Sequence, residues 1–453
     1  MRGLDLIKKA FNREAVERIP WVPFVGVNAA KLLGIDSAEY LKSSAHIVKG
    51  VTKAIELYNP DGIPVIFDLQ VEAEALGCRL QWPDNSPPSV ISHPLQEGID
   101  IDDLKIPCPT ESRITLVMDA SLQLKDKHPD IALYGLITGP FTLALHLMGT
   151  DIFMKMFEDL DEVYKVMSFC ADVGKEMSNR YIESGCDVIA MVDPMTSQID
   201  PASFESFVSP YASDIFSFIR EKQSLSSFFV CGNAKQNIDA MCRCKPDNIS
   251  IDENIPLAYV RDKALANDIS FGGNMRLTTV LLMGNAEDSQ REALECMDTG
   301  GRKGFILAPG CDLPMDTPSE NIKAVTDLVH DEIRQGELRA SATTVAELEM
   351  LDLNTHWHDD KIVIDIITLD SASCAPCQYM VNAVARAAQP FGGKVIYKEH
   401  KITSKEGVQM MTSLGVKNLP TIVIDGNIEF ISQIPPVGKL GEKIGDYLKL
   451  KKG

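Results

Sequence analysis

The chain has 453 residues, of which 24% are charged and 45% hydrophobic, and a formal net charge of −20. That length predicts at least two domains, and the balance is that of a folded chain rather than a disordered or membrane-embedded one. An acidic surface repels phosphate, which argues against nucleic acid as a partner.

The N-terminal run Met1-Arg-Gly-Leu-Asp-Leu-Ile-Lys-Lys lacks the apolar stretch of a secretory leader. No segment offers the roughly 18 uninterrupted apolar residues of a bilayer span. A cytoplasmic location with no membrane partner is therefore expected. The eleven cysteines then read as thiols, metal ligands or redox centres rather than a disulfide framework. The charge is uneven, because from Thr343 onward 12 Lys and Arg meet 13 Asp and Glu, so nearly all the negative excess precedes that point.

Up to about Gly336, short apolar runs alternate with longer amphipathic stretches, the rhythm of repeated βα units. Gly62-Ile-Pro-Val-Ile-Phe, Ile131-Ala-Leu-Tyr-Gly-Leu-Ile, Asp187-Val-Ile-Ala-Met-Val, Ser227-Phe-Phe-Val and Gly304-Phe-Ile-Leu-Ala read as buried strands. Helices are predicted from Thr142 to Met148, Ala202 to Phe218 and Ser319 to Ile333, the last opening on Thr317-Pro-Ser-Glu. No glycine-rich nucleotide fingerprint follows the early strands, which favours a closed (β/α)8 TIM-type barrel over an open sheet. Residues just past the strands then face the active site.

The expected division is a barrel over 1–340, a polar linker over 341–358 and a small α/β domain over 359–453. In the last, Lys361 to Leu369 and Gly393 to His400 read as strands, Gln378 to Ala388 and Glu406 to Leu414 as helices. Thr421-Ile-Val-Ile-Asp-Gly and Ile428-Glu-Phe-Ile form a hairpin, and Val437 to Leu450 closes with a helix.

Within it, Cys374-Ala-Pro-Cys377 follows a strand and opens a helix, where unpaired N–H groups and the helix dipole favour thiolate. No second Cys-x-x-Cys completes a zinc ribbon there, although His356 and His358 stand upstream. With Leu419-Pro420-Thr421 before a strand, the domain resembles the thioredoxin and glutaredoxin superfamily. That resemblance implies Cys374 as attacking thiolate, Cys377 as resolving partner and Pro420 as a shaper of the substrate groove. A redox-inactive docking module is the competing reading.

Four segments of the larger part carry a second resemblance. They are Ile63-Pro-Val-Ile-Phe-Asp68-Leu-Gln-Val-Glu72-Ala-Glu74, Leu136-Ile-Thr-Gly-Pro-Phe-Thr-Leu-Ala-Leu-His146, Gly185 to Asp193-Pro, and Leu307-Ala-Pro-Gly-Cys311-Asp-Leu-Pro. Together they resemble the uroporphyrinogen decarboxylase superfamily, whose chemistries are tetrapyrrole decarboxylation and zinc-dependent methyl transfer between methylcobamide proteins and thiols or pterins. The decarboxylases' paired arginines are missing from Arg18-Ile-Pro-Trp-Val-Pro-Phe, and His146 and Cys311 replace their tyrosine and histidine, although Asp68 matches their central aspartate.

The chain is more similar to the methylcobamide:coenzyme M methyltransferase branch. The resemblance implies zinc on Cys231 and Cys311, with Asp252 or Glu253 as a carboxylate ligand, a methyl-corrinoid protein as partner and a small thiol or pterin as acceptor. It departs from the branch at Phe229, which stands where a ligand histidine is expected. Cys242 and Cys244, read as extended, are substitutes of which one could point inward. A redox-linked corrinoid- or tetrapyrrole-binding protein is a third reading.

Asp68, His146 and Asp193 are candidate catalytic groups, and Glu72 and Glu74 candidate cofactor contacts. Against this, Asp68 and Asp193 could cap backbone, His146 could be a core or pocket-wall histidine, and Glu72 and Glu74 could serve the helix dipole. Cys78, Cys108, Cys170, Cys186 and Cys296 read as buried small hydrophobes.

Overall fold

The computed structural model describes residues 2–107, 112–341, 350–353, 356–358, 360–372 and 374–451. They form two compact units, Met1–Ser341 and Ala342–Gly453. The expected linker falls largely outside the described residues, as does Cys108. Among the described residues no helix is long and apolar enough to cross a membrane.

The first unit is built on seven parallel strands: β1 (Gly62–Pro64), β2 (Ala132–Thr138), β3 (Val188–Val192), β4 (Leu225–Val230), β5 (Asn248–Ile251), β6 (Ser270–Met275) and β7 (Phe305–Pro309). Each pairs with the next in chain order, with registers such as Tyr134 opposite Val188 and Phe271 opposite Phe305. The ring is completed by Pro20 to Val22. Leu307 N donates to Pro20 O (2.9 Å) and Val22 N to Leu307 O (3.0 Å), while Asp61 N donates to Trp21 O (2.9 Å) on the other side. This eighth strand is a single parallel bridge, Trp21 to Leu307. Pro20 and Pro23 lack the N–H a longer ladder needs.

Several elements are shorter than their apolar runs. The ladder of β1 ends at Pro64 rather than Phe67, because past Val65, whose N–H reaches Tyr134 O at 3.0 Å, the chain turns toward Asp68. The helix expected from Ala202 to Phe218 is two, Pro201–Phe207 and Ser209–Glu221. Pro210 cannot continue the i→i−4 ladder, so the break falls just before it. The helix from Ser319 stops at Val329, and Asp331 caps a new one, Glu332–Ala340. Met241, Cys242 and Arg243 are helical, not extended, within Ile238–Arg243, and Cys244 caps that helix with helical backbone angles.

Side chains from alternate strand positions fill the barrel. Tyr134, Leu136, Val188, Ala190, Val192 and Phe229 belong to one buried cluster. Phe229 meets Phe67 edge-on, with centroids 5.9 Å apart, and lies 5.3 Å from Phe24.

The second unit has four strands, β8 (Ile362–Thr368), β9 (Val395–Lys401), β10 (Thr421–Ile424) and β11 (Asn427–Ile431), in the order β9-β8-β10-β11. Among the described residues of this unit, β8 and β9 pair in parallel and the other two pairings are antiparallel. Ile362, Ile364 and Ile366 alternate onto the face covered by helices Ala375–Ala388 and Val437–Leu450. Helix Lys405–Ser413 follows β9, and the Leu419–Pro420 peptide bond is cis.

Candidate active site

Cys231 is the first residue past β4, and Cys311 lies two past the end of β7. Barrel closure brings their sulfurs to 2.8 Å, each half-buried and packed against the interior aromatic cluster. Phe229, two residues before Cys231, points into the same interior. Both cysteines sit at the C-terminal ends of the parallel strands, the end at which barrels assemble active sites.

Asp252 and Glu253 follow β5 at this mouth. The Asp252 carboxylate accepts from Gly232 N (2.5 Å), Asn254 N (3.0 Å) and Asn254 Nδ2 (2.8 Å). Glu253 accepts from Leu277 N at 3.2 Å, and its other oxygen presses on Gly310, where a Cβ would lie only 2.1 Å away. Burial raises the Asp252 carboxyl to about 6. Burial and the neighbouring Asp252 charge raise Glu253 to about 8. The Cys231 thiol is held well above the ordinary range by its hydrogen bond with Cys311 and by burial. These acids oppose one another's ionisation, a conflict that a cation would relieve.

The remaining barrel candidates are tied into the protein. Asp68 accepts from Gln70 N (2.8 Å) and from Arg113 Nη1 (2.5 Å). Glu74 takes Arg113 Nε at 2.5 Å, and the guanidinium lies 4.7 Å over Trp82. Glu72 accepts from Thr138 N and Oγ1, both at 2.9 Å, and burial raises it to about 7. Asp193 caps helix Pro140–Met148, accepting from Phe141 N (3.1 Å), Thr142 N (2.8 Å) and Thr142 Oγ1 (2.6 Å).

His146 is fully buried, its ring nitrogens have no hydrogen-bond partner among the described residues, and burial lowers it to about 3, so it stays neutral. Cys242 and Cys244 are buried, and Cys244 Sγ donates to Ala240 O. Their helix removes the extended-chain geometry on which substitution as ligands depended.

In the second unit Cys374 caps helix Ala375–Ala388, its sulfur accepting from Cys377 N at 3.4 Å, and the two are joined in a disulfide. Cys374 is half-buried and Cys377 fully buried. His356 is not at the dithiol. Its Nε2 lies 2.9 Å from the buried Asp365 carboxylate, which also holds His400 Nε2 at 2.8 Å.

Residues 3–332 match the family model described as uroporphyrinogen decarboxylase (URO-D). The chain belongs to that family. A methylcobamide:CoM methyltransferase MtbA of Methanosarcina acetivorans is 27% identical over 330 residues, covering 71% of this chain and 96% of the relative. A uroporphyrinogen decarboxylase of Anaeromyxobacter sp. is 25% identical over 303 residues, covering 63% of this chain and 85% of that one. A methyltransferase structure from Methanosarcina mazei superposes with a TM-score of 0.67 at 24% identity, covering 73% of this chain and 98% of that one, and shares the fold. The second unit lies beyond the family match.

Whether the URO-D barrel mouth suits zinc is a question for its donor set. Two thiols converge near the Glu253 carboxylate, sulfur and oxygen donors of the kinds zinc takes, so the chemistry fits. Cys231, Cys311 and Glu253 would hold the metal. The Asp252 oxygens are engaged by Gly232 and Asn254, so it positions the loop. Among the described residues no three His, Cys, Asp or Glu side chains already converge as a metal group. Two sulfurs at about 2.3 Å from one zinc stand roughly 3.8 Å apart, so the pair must open from 2.8 Å.

Two groups escaped the sequence reading. Arg113 is a lone arginine far from Asp68 in the chain, and nothing local marks it. Asp312 follows Cys311 directly, and burial holds its carboxyl well above the usual range, with one oxygen unpartnered among the described residues. Its carboxylate fills the space a Gly26 Cβ would occupy, 2.4 Å from Oδ1.

Proposed function

We propose that the barrel is a corrinoid-linked, zinc-dependent methyltransferase that moves a methyl group between a methylcobamide protein and a thiol acceptor, and that the second unit is a thioredoxin-like redox domain. The observation that carries the first part is the convergence of Cys231 and Cys311, 80 residues apart in sequence, at the catalytic end of the strands. The methylcobamide:CoM methyltransferases that match 71% of the chain support it. Zinc on these thiolates would lower the pKa of the acceptor thiol and hold the thiolate for attack on a cobalt-borne methyl.

The chain's own groups build the surroundings. The interior aromatics Phe24, Phe67 and Phe229 exclude water below the sulfurs. Asp252 fixes the Gly232 loop beside Cys231, and Glu253 supplies a carboxylate against Gly310. The decarboxylase reading asks Asp68 to bind pyrrole N–H groups, but Arg113 and Gln70 N already occupy its two oxygens.

The second part rests on the β8 to β11 order, the helix opening at Cys374 and the position of Pro420 before β10. Cys374 is the attacking and Cys377 the resolving sulfur, because only Cys374 is open to solvent. Anaerobically purified protein is expected to hold near-stoichiometric zinc and to demethylate methylcobalamin with an added thiol. Cys311→Ser should lose both, and full transfer without Cys311 would reject the reading.

A further inference from the structure

In the second unit, side chains of β9 reach the turn that carries Cys374. Parallel pairing sets Glu399 beside Ile366 and Lys401 beside Thr368. Paired residues point to the same face, so Glu399 stands on the side where Ile366 meets helix Ala375–Ala388, while the alternating His400 goes to the other face and Asp365. The Glu399 carboxylate accepts from Thr368 Oγ1 (2.6 Å), Ser371 N (2.9 Å) and Ser371 Oγ (2.8 Å). Lys401 Nζ lies 2.7 Å from Asp370 Oδ1, and the Asp370 carbonyl accepts from Cys374 N at 2.8 Å. Two side chains of one strand therefore fasten the turn between β8 and the dithiol, and that turn holds the Cys374 backbone.

We propose that Glu399 is a positioning residue of the dithiol: by fixing the 370–372 turn it keeps Cys374 at the helix start, where its thiolate is stabilised. The proposal rests on the redox reading of the second unit. A thiolate gains from a helix N-terminus only while its sulfur stays within reach of the unpaired N–H groups, and Cys374 meets that condition as the cap residue whose sulfur accepts from Cys377 N. Glu399 acts through Ser371 and not by its charge, and the two modes have opposite signs. A negative charge beside a thiol opposes its ionisation, so removing a carboxylate that acted through space would make Cys374 more reactive. Removing a clamp makes it less reactive. A contact that served the fold alone would change stability and leave the pH profile of Cys374 where it was.

Glu399→Gln removes the charge and keeps the clamp, since the amide oxygen accepts from Thr368 and Ser371 N while its nitrogen donates to Ser371 Oγ; Glu399→Ala removes both. The full-length chain and the two variants are reduced with phosphine and alkylated with limiting iodoacetamide across a pH series, and Cys374 is followed by peptide mass spectrometry. Glu399→Ala should shift the profile to higher pH and slow Cys374 alkylation at about pH 6 by at least about threefold, while Glu399→Gln stays at or above the wild-type rate. Equal slowing in both variants, or no slowing in Glu399→Ala, overturns the proposal. Cys377 is fully buried and should stay unmodified throughout. Where it does not, the fold has opened and Ser371→Ala, which takes one hydroxyl from the clamp, decides by the same profile: slowing supports the proposal and an unchanged profile overturns it. Closure of the wild-type dithiol by oxidised glutathione is measured separately. A dithiol that never closes rejects the redox reading, while the alkylation contrast still judges the clamp.

Discussion

Replacing Arg113 by methionine tests how the barrel mouth tolerates buried charge. The guanidinium is only 7% exposed, the Asp68 side chain it binds is fully buried, and Glu74 on its other edge is 30% exposed. In Arg113→Met the apolar stem is kept, but among the described residues Asp68 is left with Gln70 N as its one remaining donor. Removing one partner of a buried ion pair costs about 3–5 kcal/mol, because the other charge is stranded. The more exposed Glu74 contact adds at most about 1 kcal/mol. We therefore expect Arg113→Met to destabilise the first unit by about 3–5 kcal/mol. Arg113→Met with Asp68→Leu should cost less than the sum of the two single changes, by at least about 2 kcal/mol. The assay is urea unfolding of the full chain in a Trp357→Phe background, so that Trp21 and Trp82 report on the first unit. A loss below about 1 kcal/mol, or simple additivity, would refute the claim that Asp68 depends on this guanidinium.

Three further outcomes follow from other contacts. Glu72 and Asp193 are raised to about 7 and about 6, so the folded chain holds protons that the unfolded chain releases. Their effect makes stability highest at acid pH and lower as pH rises through about 4 to 7, by an upper bound of roughly 3 kcal/mol each; Glu72→Gln and Asp193→Asn should flatten the profile, and an unchanged slope in pH-dependent unfolding would contradict this. Phe229→His adds a nitrogen donor two residues from Cys231, and zinc affinity measured against a chelator should tighten about tenfold or more. The loss of the aromatic contacts with Phe24 and Phe67 should cost about 1–3 kcal/mol of stability. Asp365→Asn turns one imidazole N–H of the His356 and His400 pair against an amide donor, and hydrogen exchange should quicken across β8 by the equivalent of about 1–3 kcal/mol.

The strand runs were legible because a parallel strand covered on both faces is continuously apolar, and Val188–Val192 and Phe305–Pro309 lie where such runs were read. Boundaries were less so. Pro210 splits a continuous amphipathic pattern, and the Cys242 segment, too short to show a period, was misread as extended. The dithiol's place at the start of a helix was legible from order alone, since Cys-x-x-Cys is local.

The chain order of apolar runs, the position of each cysteine after a strand and the proline-flanked motif at Cys374 are local properties, and sequence sufficed for them. Ring closure through Trp21, the meeting of Cys231 with Cys311, the Arg113 bridge to Asp68 and Glu74, and the commitment of Asp193 to a helix cap belong to tertiary structure. Each joins residues dozens to hundreds of positions apart. Which of many acids and thiols meet is decided by how the barrel closes, not by any pattern along the chain.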